Sequence, residues 1–309
     1  MVTKVQAADG SLWARFSRWR HRHRQAVEGW LILAPILIYY SLFFLFPVFA
    51  NFFVSFTRWT GVYDKPRWVG LANYKRYLSY PYPLIIFNTA IFAVIILIVQ
   101  TVVAFFIAIL LNQKVVGLGL YRSLFYIPTL TSSAIMAQVF FAFISPFDGV
   151  FNAILKALGR PIVIWTISPF WMRTFIILYS IWRGVGGPVV LFLAALQGIH
   201  REIYEAAMVD GAGRWSLLWH ITIPLLRPMI IFVLITGMIG GFQIFESVLL
   251  ISAGGPENKT NVMLLQIYND AFVNQNLGLA SAGSVIMAVI LLWFSMMNMR
   301  IMSRGQVER

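Results

Sequence analysis

The sequence predicts an all-α, polytopic membrane protein with six transmembrane helices and both termini in the cytoplasm. Three observations carry this. The mean hydropathy is +0.77, with 60% of the 309 residues hydrophobic and only 11% charged; one core of this size cannot hide so much apolar surface, so much of it faces lipid. Apolar runs long enough to cross a hydrocarbon layer of ~30 Å as helix, roughly 20 residues, recur six times. Lys and Arg concentrate before the first run and in alternate connections, the pattern that sets membrane orientation. Lipid offers backbone groups no partners, so the runs are read as helices. They are apolar on every face, which excludes the alternating strands of an outer-membrane barrel.

Taken in order, residues 1–28 form a basic cytoplasmic segment. Within it Leu12, Phe16 and Trp19 recur at helical spacing among Arg15, Arg18 and Arg22, which suits a helix lying on an anionic inner leaflet; a disordered basic tail fits the same residues, and both readings stand. It is not a cleavable signal, because the apolar run that follows is too long, holds Pro35 and Pro47, and leads to no small-residue cleavage site. The first transmembrane helix is placed at 29–56 and an extracytoplasmic loop at 57–83, rich in aromatic and turn residues and expected to form an ordered cap. A core of five further helices fills 84–300, at 84–111, 124–143, 171–196, 225–252 and 279–299, with a cytoplasmic tail at 301–309. Between the third and fourth, Phe151, Ile154, Leu155 and Leu158 predict a short amphipathic helix ended by Gly159. Gly254-Gly255-Pro256 predicts a stop after the fifth.

The net charge of +13 follows this topology: of the 24 Lys and Arg residues, 14 fall on the inner side, eight outside, and two, Arg173 and Arg183, in or at the fourth helix. Nucleic-acid binding is not needed to explain it. With no Cys there is no disulfide, thiol chemistry or Cys-metal site, and His21, His23, His200 and His220 have no metal-like spacing.

What is missing narrows the function. None of the six lysines follows a Gly, so no phosphate-cradling G-x-x-x-x-G-K-[ST] loop is encoded. Ion-coupled carriers bury ionisable residues, and here only Arg183 and Glu246 lie deep in apolar runs. Two readings of them stand: they neutralise each other across the fourth and fifth helices, or they line a path. No Ser-His-Asp set, carboxylate pair or H-E-x-x-H is present, so the chain is not read as an enzyme. It reads as a pathway without an engine. The polar stretch near 201–224 is where an engine would attach. Glu202 and Glu205 begin a short helix, Ala206 and Ala207 give it a low-relief face, Gly211-Ala212-Gly213 breaks it, and Arg214 to His220 resumes it before Pro224 and Pro228 introduce the fifth membrane helix.

"EAAMVDGAGRWSLLWHITIP" resembles the EAA loop of ABC-importer membrane subunits: Glu205-Ala206-Ala207, three residues, Gly211, nine residues, then Ile221-Thr222-Ile223-Pro224, with Ile223 in place of the usual Leu. The flanking "FLAALQGIHREIY", the later "GGP" and "YRSLFYIPTLTSSAIMAQVFFAFI" are similar to the carbohydrate-uptake branch, and to its maltose-type first permease subunit in particular. The resemblance covers roughly residues 84–300 and places the EAA loop at 199–224. It implies a cytoplasmic coupling helix docked on an ATPase subunit, with Glu205 as docking carboxylate, Ala206, Ala207 and Asp210 at the contact, Gly211 as the bend and Pro224 closing the motif. It further implies a second homologous permease, two ATPase subunits that use ATP and Mg, an extracytoplasmic solute-binding protein, no cofactor on this chain, and the bacterial cytoplasmic membrane as location. A permease for another solute such as glycerol phosphate is the nearest alternative, and a self-sufficient ion-coupled carrier a more distant one.

Polar side chains inside apolar helices are costly and mark candidate path residues: Asn88, Gln100, Gln138, Ser180, Arg183, Gln243 and Glu246. The resemblance adds Gly184, Gly187, Gly237, Gly241 and Ile244 at or near the sugar site. Several polar residues expected for maltose are absent, and glycines replace bulk, which implies either a wider cavity or close helix packing. Arg183 departs from the family pattern; a guanidinium suits a carboxylate or phosphate, so the substrate expectation includes an acidic sugar, a uronate oligosaccharide or a sugar phosphate.

Overall fold

The computed structural model describes residues 24–61, 64–113 and 117–307; Leu12, Phe16 and Trp19 of the basic segment lie outside them. The chain forms two compact units, Met1–Phe53 and Val54–Arg309.

In the first, helix α1 (Arg24–Tyr40) runs through a π-turn, Ser41–Leu45, into α2 (Phe46–Val54). The wide turn has a local cause. Pro47 follows it by two residues, and a proline ring in a tight helix strikes the carbonyl one turn back, here that of Phe43; an i→i+5 turn opens the backbone at that point. The large apolar side chains of this segment are exposed, as a lipid-facing helix requires, and residues 28–54 are long and apolar enough to cross a membrane.

The second unit is organised on α4 (Tyr82–Leu111). Its buried residues, Ile85, Thr89, Phe92, Ala93, Ile96, Ala104, Ala108 and Leu111 among them, recur every three or four positions and make one inward stripe on an otherwise apolar helix. Before it, β1 (Thr57–Arg58) pairs antiparallel with β2 (Arg67–Trp68), Thr57 opposite Trp68, and a short helix α3 (Ala72–Arg76) follows. Asn73 donates to the carbonyls of Ser55 and Thr57 at 2.9 and 2.8 Å, and Phe56 stacks on Trp68, so α3 is tied to the start of β1.

The third apolar run is not one straight helix. It divides into α5 (Leu118–Leu130) and α6 (Ser133–Phe143), bent by 96°. Pro128 has no N–H for the turn before it, and Thr131 turns extended. The fourth run also breaks, into α8 (Pro169–Gly184) and α9 (Gly186–Gln197) at 43°, where Gly186, Gly187 and Pro188 weaken the helix. Between them α7 (Val150–Ala157) forms where predicted and ends at Gly159 with φ +68, the Arg160 N–H returning to Leu155 O at 2.8 Å.

The fifth run departs twice from expectation. The polar stretch gives α10 (Arg201–Val209), and Gly211 at φ +86 makes the elbow. Helix then resumes as α11 (Arg214–Leu217), passes through a π-turn, Leu218–Thr222, and continues as α12 (Ile223–Phe242). Pro224 therefore lies inside a continuous 29-residue helix, Arg214–Phe242, rather than starting one. The π-turn sits two residues before Pro224, as the first sits two before Pro47, and it relieves the same clash. At the far end α12 stops at Phe242 rather than running to 252; Gln243 to Phe245 are irregular, and Glu246 opens a separate short helix, α13 (Glu246–Ile251).

After α13 the chain turns at Ala253 and Gly254, both at positive φ. The following loop is stapled to α4 and α8: Asn88 donates to Asn258 O and Asn261 O, and Arg173 donates to Lys259 O at 2.7 Å and to Asn88 Oδ1 at 3.0 Å. Asn88, read from sequence as a path candidate, is thus committed to holding this loop. Helix α14 (Met263–Tyr268) and a π-turn, Asn269–Val273, come next, unforeseen because polar residues interrupt the apolar pattern. Asp270 is buried there and accepts from Gln266 and Asn274, and burial pushes its carboxyl above the usual carboxylate range. Helix α15 (Leu277–Val307) closes the unit.

Candidate functional site

The interruptions of α8/α9 and of α12/α13 face the middle of α4, and a cavity of about 760 Å³ opens between them. That is within the ~300–1,000 Å³ typical of small-molecule sites. Discontinuous membrane helices expose backbone groups, which lipid does not satisfy, so irregular backbone at depth is tolerated where protein or a water-filled cavity serves it.

The breaks are mended by named side chains. Pro188 cannot donate to the Gly184 carbonyl four residues back, and Gln100 Nε2 of α4 does so at 2.9 Å. Thr129 Oγ1 donates to Arg183 O at 2.8 Å, and the Tyr179 hydroxyl donates to Ser133 O at 2.8 Å, beside the bend between α5 and α6. Replacing Gln100 with Leu leaves Gly184 O without its donor, an expected loss of about 1–3 kcal/mol. Thermal unfolding of the detergent-solubilised protein reads this as a lower midpoint.

The glycines divide into two kinds, which decides residue by residue between close packing and open space. A Cβ at Gly237 would lie 2.5 Å from Leu97 Cδ1, and one at Gly241 2.9 Å from the Ala93 backbone; these two let α12 close on α4. At Gly186 it would meet the Phe125 backbone at 2.4 Å, and at Gly184 the Gln100 amide at 2.9 Å. Gly187 and Gly240 have nothing within 4 Å and line the cavity.

Of the twelve path candidates read from sequence, ten line this cavity: Gln100, Ser180, Arg183, Gly184, Gly187, Gly237, Gly241, Gln243, Ile244 and Glu246. Gln138 does not; it is exposed on α6. Ser180 spends its hydroxyl proton on Ile176 O at 2.7 Å. Arg183 and Glu246 are not among the ion pairs of the described residues, although both line the cavity, and the Arg183 Nε is buried without a hydrogen-bond partner. A buried donor of this kind is expensive unless something arrives to accept from it. Tyr179, Thr101 and Thr236 also line the space and were not foreseen. The signal for Tyr179 was available: it lies four residues before Arg183, on the same helix face.

The second candidate site is the elbow. No residue of α10 is buried, and Val209 is 88% exposed. Glu205, Ala206 and Asp210 are exposed and Ala207 half-exposed. Glu205 pairs with Arg201 at 2.7 Å, one turn back and in solvent. Such a pair contributes only about 0.3–0.5 kcal/mol, and with the cation nearer the helix N-terminus it runs against the dipole, so Glu205 is easily surrendered to another cation. A nine-residue helix that buries nothing is marginal by itself.

Residues 101–304 match the family described as binding-protein-dependent transport system inner membrane component. The chain belongs to that family. It is a multi-pass inner-membrane protein of a binding-protein-dependent transport system, of the all-α class expected. The lactose transport system permease protein LacF of Rhizobium radiobacter is 36% identical over 253 residues, covering 80% of this chain and 84% of that one. A bacterial ABC transporter involved in the import of the acidic polysaccharide alginate matches with a TM-score of 0.78 at 25% identity, over 93% of this chain and 99% of the other. The alginate transporter in complex with an alginate pentasaccharide-bound periplasmic protein matches at a TM-score of 0.77 and 25% identity, over 92% and 98%. The two candidate sites differ in kind: one is an interior space with a buried, unpartnered guanidinium Nε in its wall, the other a helix with no buried residue.

Proposed function

We propose that this chain is the permease subunit of an ATP-driven importer whose cavity conducts an acidic saccharide, with Arg183 receiving the substrate's carboxylate. The observation that carries the substrate reading is the buried, unpartnered Nε of Arg183 in the cavity wall. The likeness to an importer of an acidic polysaccharide supports it, and the sugar permeases among its relatives support the saccharide class. Glu246, on the opposite side of the break after α12, accepts from sugar hydroxyls and keeps the cavity from being a plain anion trap. Energy enters from outside: the exposed carboxylate Glu205 and the bare Ala206 and Ala207 face dock a cytoplasmic ATPase subunit, which holds the ATP and Mg. A second, homologous permease and a solute-binding protein complete the assembly, and this chain itself binds no cofactor.

Uptake assays on the assembled importer test the substrate reading. Arg183→Gln is expected to lower uptake of uronate oligosaccharides by about tenfold or more, the scale of one charge-assisted contact, and to leave neutral oligosaccharides within about twofold. An equal loss for both classes would overturn the acidic assignment. Uptake confined to glycerol phosphate would overturn the saccharide class.

A further inference from the structure

The Tyr204 hydroxyl of α10 lies 3.1 Å from the Thr222 hydroxyl. Among the described residues it is the one side-chain hydrogen bond that links α10 to another helix. Thr222 is buried and closes the π-turn before Pro224, and its Oγ1 also donates to Leu217 O at 3.1 Å. Its one hydroxyl proton thus fixes Thr222 to its own helix, and the oxygen offers a lone pair to the Tyr204 hydroxyl.

On the other side of Thr222 the helix is continuous to Phe242, and its last turns carry Gly237, Gly240 and Gly241 along the cavity. At ~1.5 Å per residue, the 29 residues from Arg214 to Phe242 make a rod of about 40 Å. Beside the hydrogen bond lies a second cavity, of about 620 Å³, lined by Asn112, Gln113, Leu196 and Trp215 as well as by the bonded pair. Of the residues that line it, Tyr204 is the one that α10 contributes. The backbone elbow at Gly211 is a hinge, and a hinge by itself transmits no force sideways.

We infer that the Tyr204–Thr222 hydrogen bond is the strut by which displacement of α10 is passed to α12 and so to the cavity wall; Tyr204 is a positioning residue for transport. This rests on α10 being the surface the ATPase moves. Thr222 supplies the fixed end and Tyr204 the moving end, and the cavity beside them gives α10 room to move while the bond carries α12 with it.

The test uses the whole importer, co-expressed with its cognate subunits and reconstituted in proteoliposomes, with ATP hydrolysed per saccharide transported as the readout. Tyr204→Phe removes one oxygen and should leave the ATPase subunits bound, yet raise that ratio at least about threefold, the scale of one hydrogen bond. Thr222→Val should do the same, Thr222→Ser should stay near the parent, and the Tyr204→Phe/Thr222→Val pair should be no worse than the poorer single change, the signature of a direct interaction. An unchanged ratio in Tyr204→Phe overturns the strut. Loss of the ATPase subunits in Tyr204→Phe overturns it too, because the tyrosine would then shape the docking face and transmit nothing. Glu205→Lys, run alongside, separates the two readings: ATPase subunits retained in that variant would refute docking on α10 itself, whatever Tyr204→Phe does.

Discussion

Glu205→Lys is expected to strip the ATPase subunits from the importer while leaving the chain inserted and folded. The second half of that statement follows from exposure: Glu205 buries nothing, and its only ion pair among the described residues is the solvated one with Arg201, so its loss costs the fold at most a few tenths of a kcal/mol. The first half follows from what a reversed charge meets at a docked surface. Placing a cation where a carboxylate satisfied the partner costs about 2–5 kcal/mol, at least about thirtyfold in affinity. Gly211→Pro should act on the same step by another route. The residue sits at φ +86, and proline is locked near −65°, so the elbow that aims α10 cannot form. Co-purification of ATPase subunits with tagged permease, and transport-coupled ATP hydrolysis in proteoliposomes, read both changes. Full coupled hydrolysis with the two changes combined would show that energy enters elsewhere.

The elbow was legible in the sequence because charge, small residues and a Gly-Ala-Gly break stand out between apolar runs. The cavity was legible only in part. Ser180, Arg183, Gln243 and Glu246 were visible as polar residues in apolar runs, but so were Asn88 and Gln138, and spacing alone does not tell a polar side chain that faces a cavity from one that faces outward or ties down a loop. Asn88 does the last, holding Asn258 and Asn261. The broken helices were missed for a different reason. Hydropathy registers length and polarity, and neither Pro128 nor Gly186-Gly187-Pro188 lowers it enough to divide a run. At the α8/α9 break the consequence is a backbone one: carbonyls that accept from Gln100 and Thr129 of other helices. Long-range partners of that kind have no local signature. The same holds for the continuity of Arg214–Phe242 through Pro224, where the sequence offers a helix breaker and the chain answers with a π-turn.

Neighbouring glycines on α12 should give opposite phenotypes, and this is the second large effect. A side chain at Gly241 must enter the Ala93 backbone at 2.9 Å, where neither helix has anything flexible to move. Gly241→Leu is therefore expected to force α12 off α4 and to cost about 1–3 kcal/mol, a fall of about 5 °C in the unfolding midpoint for a unit of this size. Gly240, one residue away, faces open space on the cavity side. Gly240→Phe meets no backbone, and replacing a helical glycine restores propensity, so its midpoint should stay within about 2 °C of the parent. Its ring instead projects into the 760 Å³ cavity proposed to conduct the saccharide. Uptake of a trisaccharide or longer substrate should fall at least about tenfold, ~1.4 kcal/mol at the narrowest point, and a monosaccharide should suffer less. Gly187→Phe, which also has nothing within 4 Å, should reproduce the length dependence from the opposing helix. If Gly240→Phe carried long saccharides at the parent rate while retaining its fold, the cavity would not be the conducting space, and the openness at Gly187 and Gly240 would be a packing defect with no bearing on transport.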